Sequence, residues 1–347
     1  MRFTKDFIMI DVFNHILPPE FVAAVDKYAV RRPHMFDRAL RIPAMSDVGA
    51  RFRVMDLFPG YRQILSLSSP PVEAFAAASG AIALAQIGND ALAKLVEQHS
   101  DRFPGFVASL PMTSLDAAIR EAERAVLRLG AVGVQIYTSV NGHPIDRPET
   151  LEVFSKMAEL GRPIWLHPLR PITAPDYPTE TYSKYDLWWA FGWPHETSVA
   201  MGRIVFAGVF DRWPTLKIIT HHAGGTIPMF EGRIEHGLAT LGTRNAPEMD
   251  DSIVTNLAEP PLSAFHRFYA DTATFGSSGA LECAREFFGV DKLLFATDMP
   301  FDPEQGVRFI RETLRSIREM ELTPTERSLI LEGNFEKLAN RESQVCK

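Results

Sequence analysis

Three histidines and an aspartate stand where apolar runs end. His15 follows Phe7 to Val12, His167 follows Ile164-Trp165-Leu166, His222 follows Ile218-Ile219, and Asp298 follows Leu293-Leu294-Phe295-Ala296. Imidazole nitrogens with a carboxylate oxygen, and no thiolate, are the donors of a catalytic divalent metal. A single histidine at a strand end is more often a packing or capping residue. Four such residues at four strand ends argue for a shared metal or acid/base site. His221 is expected to point elsewhere if the local backbone is extended, and so to be structural. Asp298, within Ala296-Thr297-Asp298-Met299-Pro300-Phe301, can bind a metal and also take a proton; its plainer alternative is a helix cap before Pro300. Gly224 and Gly225 allow the backbone to approach a ligand closely, or simply make a turn.

Such residues meet only if the elements bearing them converge. The chain alternates short apolar runs with helical stretches: strands are predicted at 7–12, 63–67, 105–110, 132–136, 163–167, 217–220, 268–270 and 292–296. Helices are predicted at 19–28, 46–58 (with Ser46 or Asp47 as cap), 72–99, 114–129, 148–160, 195–206 and 228–238, with three more at the C-terminal end. Ala118, Ala122, Ala125 and Leu129 mark one apolar face of the fourth helix. Residues 31–44, broken by Pro33 and Pro43, and residues 242–261 read as irregular. Strand–helix alternation implies a parallel sheet with right-handed crossovers, and eight strands favour closure into a (β/α)₈ TIM barrel. In that fold the C-terminal strand ends converge on one pocket. The expected architecture is a single domain over 1–347, with loop insertions and C-terminal helices.

Bulk properties narrow the function. A length of 347 residues suits one barrel with insertions. A formal net charge of −7 without a Lys/Arg-rich run argues against nucleic acid or an anionic membrane as partner. Cys283 and Cys346 are the only thiols, which excludes a disulfide framework and suits a reducing cytoplasm. No apolar run of about 18 residues is present to span a membrane, and the first apolar run lacks the cleavage site of a signal peptide.

The segments Ile10-Asp11…His15-Ile16-Leu17-Pro18, Gly133-Val134-Gln135-Ile136, Gly208-Val209-Phe210 with Pro214-Thr215-Leu216-Lys217, Gly232-Arg233-Ile234-Glu235-His236-Gly237 and Thr297-Asp298-Met299-Pro300-Phe301 together carry a resemblance. Over nearly its whole length the chain resembles the amidohydrolase-related decarboxylases. It is most similar to the α-amino-β-carboxymuconate-ε-semialdehyde decarboxylases and is also similar to the γ-resorcylate and 5-carboxyvanillate decarboxylases. The resemblance implies His15, His167 and Asp298 as metal ligands and His222 as the acid/base residue beside the metal. It implies Arg233 as a binder of substrate carboxylate that reaches the neighbouring subunit's pocket, hence a homodimer. A second carboxylate-binding arginine is expected from the loop before the first helix, with Arg41 chosen and Arg38 in reserve.

One position departs from the pattern. The semialdehyde decarboxylases carry His-x-His on the first strand, and the first of that pair is Phe13 here. One protein ligand is therefore missing. Three ligands still suffice for a catalytic metal, but weaker affinity or a metal-free site follows as an expectation. Asp11 shares the face of Phe13 by strict alternation but lies about 6–7 Å lower on the strand, too far to substitute.

The insertion between Leu169 and Trp193 carries Tyr182, Tyr185, Trp188, Trp189, Phe191 and Trp193. Trp188 and Trp189 are candidates to roof the pocket over a flat substrate; a subunit interface is the other use for such rings. The leading expectation is metal-assisted non-oxidative decarboxylation of a small aromatic or conjugated dienoic carboxylate. The metal is expected to be zinc, with manganese or magnesium as alternatives. Hydrolysis or hydration of a lactone, amide or polarised double bond draws on the same ligands. A catalytically silent barrel that binds a small acid is a third reading, and Phe13 supports it.

Overall fold

Eight parallel strands lie side by side in chain order: β1 (Met9–Ile16), β2 (Tyr61–Leu67), β3 (Gly105–Ser109), β4 (Gly133–Tyr137), β5 (Ile164–His167), β6 (Ile218–Thr220), β7 (Tyr269–Asp271) and β8 (Leu293–Leu294). These come from a computed structural model that describes residues 8–238, 240–241 and 257–339. Residues just past β8 return to β1: Val12 N donates to Phe295 O, Asp298 N to Phe13 O and His15 N to Met299 O, each at 2.9 Å. Those bonds join the two edges, and the sheet becomes a (β/α)₈ barrel. The strands are almost wholly buried, as their near-continuous apolar runs require when helices cover one face and the barrel interior the other.

The barrel axis is packed solid. Ile10, Val12, Phe13, Ile64, Val107, Trp165, Ile219, Leu294 and Ala296 form one buried cluster inside it. Trp165 is the largest of them, and its indole Nε1 donates to Val12 O at 2.8 Å. Gly133 on β4 makes room for that ring. A β-carbon there would stand 2.4 Å from Pro163 O and 2.5 Å from the Trp165 ring. Outside the strands a larger apolar layer packs against the helices. Ala118, Ala122 and Ala125, spaced as a helical face, are completely buried within it.

Most elements fall where the sequence puts them, including helices at Pro19–Tyr28 and Pro148–Leu160. Asp47 caps the helix Val48–Met55, accepting from Gly49 N at 2.8 Å and Ala50 N at 3.1 Å. Four differences stand out. Residues 31–44, expected to be irregular, hold two short helices, His34–Ala39 and Pro43–Ser46; their prolines sit at helix starts, where a missing N–H costs nothing. The helix expected over 72–99 is a short turn at Val72–Ala74 followed by Ala78–Gln98. A small hairpin pairs Ser139–Val140 with His143–Pro144 and was not anticipated. Of the loop expected at 242–261, residues 242–256 lie outside the described residues, and Pro261–Phe265 is helical.

β1 also departs from simple alternation. Its register to β2 shifts between Asp11 and Asn14, with one extra residue on the β1 side. Asp11 Oδ1 accepts from Phe13 N at 3.1 Å inside that irregularity. Val12 and Phe13 consequently both enter the barrel interior, while the Asp11 carboxylate turns to Thr297 and Tyr61. The expectation that Asp11 shares the face of Phe13 is corrected by this bulge.

Candidate metal centre

The ends of β1, β5, β6 and β8 bring four residues to one mouth of the barrel. His15 is the penultimate residue of β1 and His167 the last of β5; His221 follows β6 directly and Asp298 lies beyond β8. One ligand atom each from His15, His167 and His221 falls within a 4.8 Å span, and the same holds for His221, His222 and Asp298. His15 Nε2 stands 3.2 Å from Asp298 Oδ1, and His221 Nε2 stands 3.6 Å from the same oxygen. All three atoms are buried and make no hydrogen bond. Three orphaned polar atoms facing one point are costly unless something charged lies between them.

The outer nitrogens of the rings are committed. His167 Nδ1 pairs with Pro168 O at 2.7 Å, His222 Nδ1 with Ala273 O at 2.9 Å and His15 Nδ1 with Ser66 Oγ at 3.3 Å. His221 Nδ1 bonds the Asp271 carboxylate. Backbone carbonyls accept from the Nδ1 protons of His167 and His222, which leaves each Nε2 with its lone pair. Such partners on the far side of the ring are what orient metal-binding histidines. Burial lowers the pKa of His15, with Asp298 opposing. Burial and the neighbouring histidines His15 and His221 push His167 well below its ordinary value. Burial and the proximity of His221 take His222 down to about 4. Asp298 goes the other way: burial works against its charge, but His15 and His221 hold it far below the usual carboxylate range. His221 differs from the other imidazoles: burial opposes its charge, but Asp271 and Asp298 outweigh it and raise its pKa to about 9. Neutral His15 and His167 beside an ionised carboxylate are donors for a divalent cation, and a cation bound there takes the place of the His221 proton, so these residues fit one.

The backbone at the site is unusual. His222, Ala223 and Asp298 have φ of 53°, 56° and 61°, the left-handed region that side chains other than glycine rarely adopt. Strain of this kind clusters at functional sites.

Beside the histidines lies a cavity of about 890 Å³, walled by Trp188, Trp193, Arg31, Arg32, Arg170 and Glu73 among others. None of the four convergent residues lines it, but Trp193 borders both. Its ring lies 5.4 Å from that of His167 and stacks on His222 at 6.4 Å with 18° between planes. Of the residues expected around the substrate, Trp188 lines this cavity; Trp189 is half-buried and does not. Arg41 is exposed and borders a neighbouring hollow of about 300 Å³ with Arg38 and Asp186, which shares His34 with the larger cavity. Arg38 is paired with Asp186 at 3.0 Å. Arg233 is exposed on a one-turn π-helix, over the ring of Phe230. Within one chain, then, neither Arg41 nor Arg233 reaches the histidines: the turn between two short helices carries Arg41 to the surface, and the π-helix carries Arg233.

His221 differs from expectation. Instead of pointing away it is fully buried in the cluster. Only an extended backbone through 221–222 would turn its ring away from the other histidines. The left-handed turn at His222 instead sets the two rings face to face, 3.8 Å apart. Asp271, the residue that ends β7, is a further member of the site and is legible by the same strand-end rule as the others. Arg170, three residues beyond His167, carried no distinguishing signal.

Comparison with known proteins gives the family and supports the fold. The family model described as amidohydrolase matches residues 10–338; the chain belongs to the amidohydrolase family. Within it, the 2-amino-3-carboxymuconate-6-semialdehyde decarboxylase of Dictyostelium discoideum is 31% identical over 332 residues, covering 90% of this chain and 88% of its own. The γ-resorcylate decarboxylase of Polaromonas sp. is 34% identical over 268 residues, covering 73% and 76%. The crystal structure of a dihydroxybenzoic acid decarboxylase from Polaromonas sp. JS666, with bound manganese and the inhibitor 2-nitroresorcinol, superposes with a TM-score of 0.75 at 25% identity, covering 96% and 97%.

Proposed function

We propose that this protein is a carboxy-lyase that catalyses metal-assisted, non-oxidative decarboxylation of a small aromatic or conjugated dienoic carboxylate. One observation carries the reading: three buried, unbonded ligand atoms, from His15, His221 and Asp298, face a common point beside a cavity walled by tryptophans and arginines. The decarboxylase activities named for the Dictyostelium and Polaromonas relatives support the same reaction class.

In this reading His15, His167 and Asp298 would hold a divalent metal, which when bound would supply Lewis-acid chemistry to the substrate carboxylate. Nitrogen-rich donors favour zinc, with manganese, the ion bound in the Polaromonas structure, and magnesium as alternatives. His222 is neutral, its Nδ1 is committed to Ala273 O, and its Nε2 moves the proton. That nitrogen, carrying a lone pair, first takes up a proton from solvent; the imidazolium then gives it to the carbon bearing the carboxylate, the bond to the carboxylate breaks, its electron pair restores the conjugated system, carbon dioxide leaves and His222 is neutral again. Trp193 and Trp188 bound the space for a flat ring and exclude water. Arg170 lines the cavity of its own chain, Arg41 serves a remote carboxylate, and Arg233 serves one across a homodimer, where a guanidinium fork suits the task.

The chain works as one domain in a reducing cytoplasm, in keeping with two cysteines in 347 residues. Among the described residues no helix is long and apolar enough to cross a membrane.

The test is a panel of hydroxy- and amino-substituted benzoates and dienoic acids. Protein stripped by chelator and reloaded with zinc, manganese or magnesium is followed by loss of ultraviolet absorbance and by carbon dioxide release. Carbon dioxide without net water consumption, lost on chelation, is the expected result. Water consumption with the carboxylate retained would assign a hydrolase or hydratase instead, and no turnover on any substrate a silent barrel.

A further inference from the structure

The geometry points to His221 as a fourth protein ligand of the metal, in place of the one that Phe13 cannot supply. This rests on the reading above that a divalent cation occupies the site. Four observations bear on it. His221 is the one residue common to both ligand groups, the one with His15 and His167 and the one with His222 and Asp298. Its Nε2 is buried, unbonded and 3.6 Å from Asp298 Oδ1, itself unbonded. Its ring lies flat on Phe13, with centroids 3.9 Å apart and 15° between planes, so the nitrogen gained is one stacking distance from the phenyl that replaced the family imidazole. Finally, its other nitrogen is locked. Asp271 Oδ1 accepts from Ala223 N at 3.0 Å and Ala273 N at 3.1 Å, which aims Oδ2 at His221 Nδ1. A carboxylate that holds Nδ1–H and leaves Nε2 facing an anionic oxygen is the arrangement that orients metal-binding histidines.

His222 is the weaker candidate for the same place. It stacks on His221 and Trp193, is only partly buried, and is left free to carry protons.

The test uses full-length protein, stripped and reloaded with Co²⁺, in four forms: native, His221→Ala, Phe13→His and the double variant. Cobalt affinity is read by competition with a chromophoric chelator, and ligand number and type by the visible absorption bands of bound Co²⁺. The expected result is a loss of affinity of about 100-fold or more in His221→Ala, exceeding what loss of an orienting partner alone causes, with a shifted visible spectrum. Phe13→His should raise affinity much more in the His221→Ala background than in the native one, where His221 already fills that place; equal gains in both backgrounds would assign His221 a structural role and overturn the proposal. Circular dichroism checks folding, and His221→Asn, which keeps a polar side chain, replaces His221→Ala if that variant unfolds. Native affinity and spectrum in both His221 variants overturn the assignment and leave the proposed reaction standing. A native protein that binds no Co²⁺ overturns both.

Discussion

Asp11 on β1 and Thr297 beyond β8 clasp the barrel across its seam, with Thr297 Oγ1 donating to Asp11 Oδ2 at 2.5 Å and Thr297 N donating to Oδ1 at 3.2 Å. Tyr61 donates to the same carboxylate, and Phe13 N completes its set. Burial nevertheless pushes the Asp11 carboxyl up to about 7, against the pull of those donors. Thr297→Val keeps the volume and removes one donor from a fully buried acceptor. A loss of about 1–3 kcal/mol in urea unfolding at pH 8 is expected; an unchanged midpoint would show that the clasp contributes nothing.

Glu73 predicts a pH dependence. Both of its carboxylate oxygens are buried without a hydrogen-bond partner, and burial raises its pKa from 4.5 to about 7. Below pH 4.5 the group is neutral in folded and unfolded chains alike. Between 4.5 and 7 the unfolded chain releases a proton that the folded protein keeps, so stability falls as pH rises through this window. Glu73→Gln should remove this contribution, on the order of 3 kcal/mol between pH 4 and pH 8. Urea titrations across the range measure it, and an unaltered pH slope would rule it out.

For His222, replacement by alanine should lower kcat by about 10²–10⁴-fold, the usual worth of a positioned proton carrier. Co²⁺ affinity should change little by comparison. Equal loss of metal and turnover would make His222 a ligand and not the proton carrier.

The exposed Arg233 has a role only if a second chain covers it. Light scattering should therefore report a dimer, and Arg233→Ala should raise KM with less effect on kcat, as expected for a group that holds a remote carboxylate. A monomer in solution removes the role altogether.

Gly133→Ala tests the packing of the axis. A β-carbon at 2.4 Å from Pro163 O meets backbone, which cannot swing aside, and at 2.5 Å from the Trp165 ring it meets the largest side chain of the core. A loss of about 1–3 kcal/mol is expected from thermal or urea unfolding. A neutral result would mean that Trp165 relocates freely.

Much of the fold and site is legible in the sequence, for reasons that differ from residue to residue. The strand-end positions of His15, His167 and Asp298 follow from apolar runs that admit few other readings, and the barrel then brings them together. His221 was misjudged because its placement depends on a left-handed φ at His222 and Ala223, and neither is a glycine that would have signalled one. Asp11 was misjudged because a bulge breaks alternation without any marker in composition. Arg41 and Arg233 illustrate a different gap: what they contact depends on how another chain is arranged, and periodicity along one chain carries no record of that.

Trp165, wedged across the axis below the histidines and bonded to Val12, also settles traffic. With the floor of the barrel blocked, nothing can pass straight through. A molecule that reaches the histidines therefore comes from the C-terminal ends of the strands, the side on which the tryptophan-walled cavity lies.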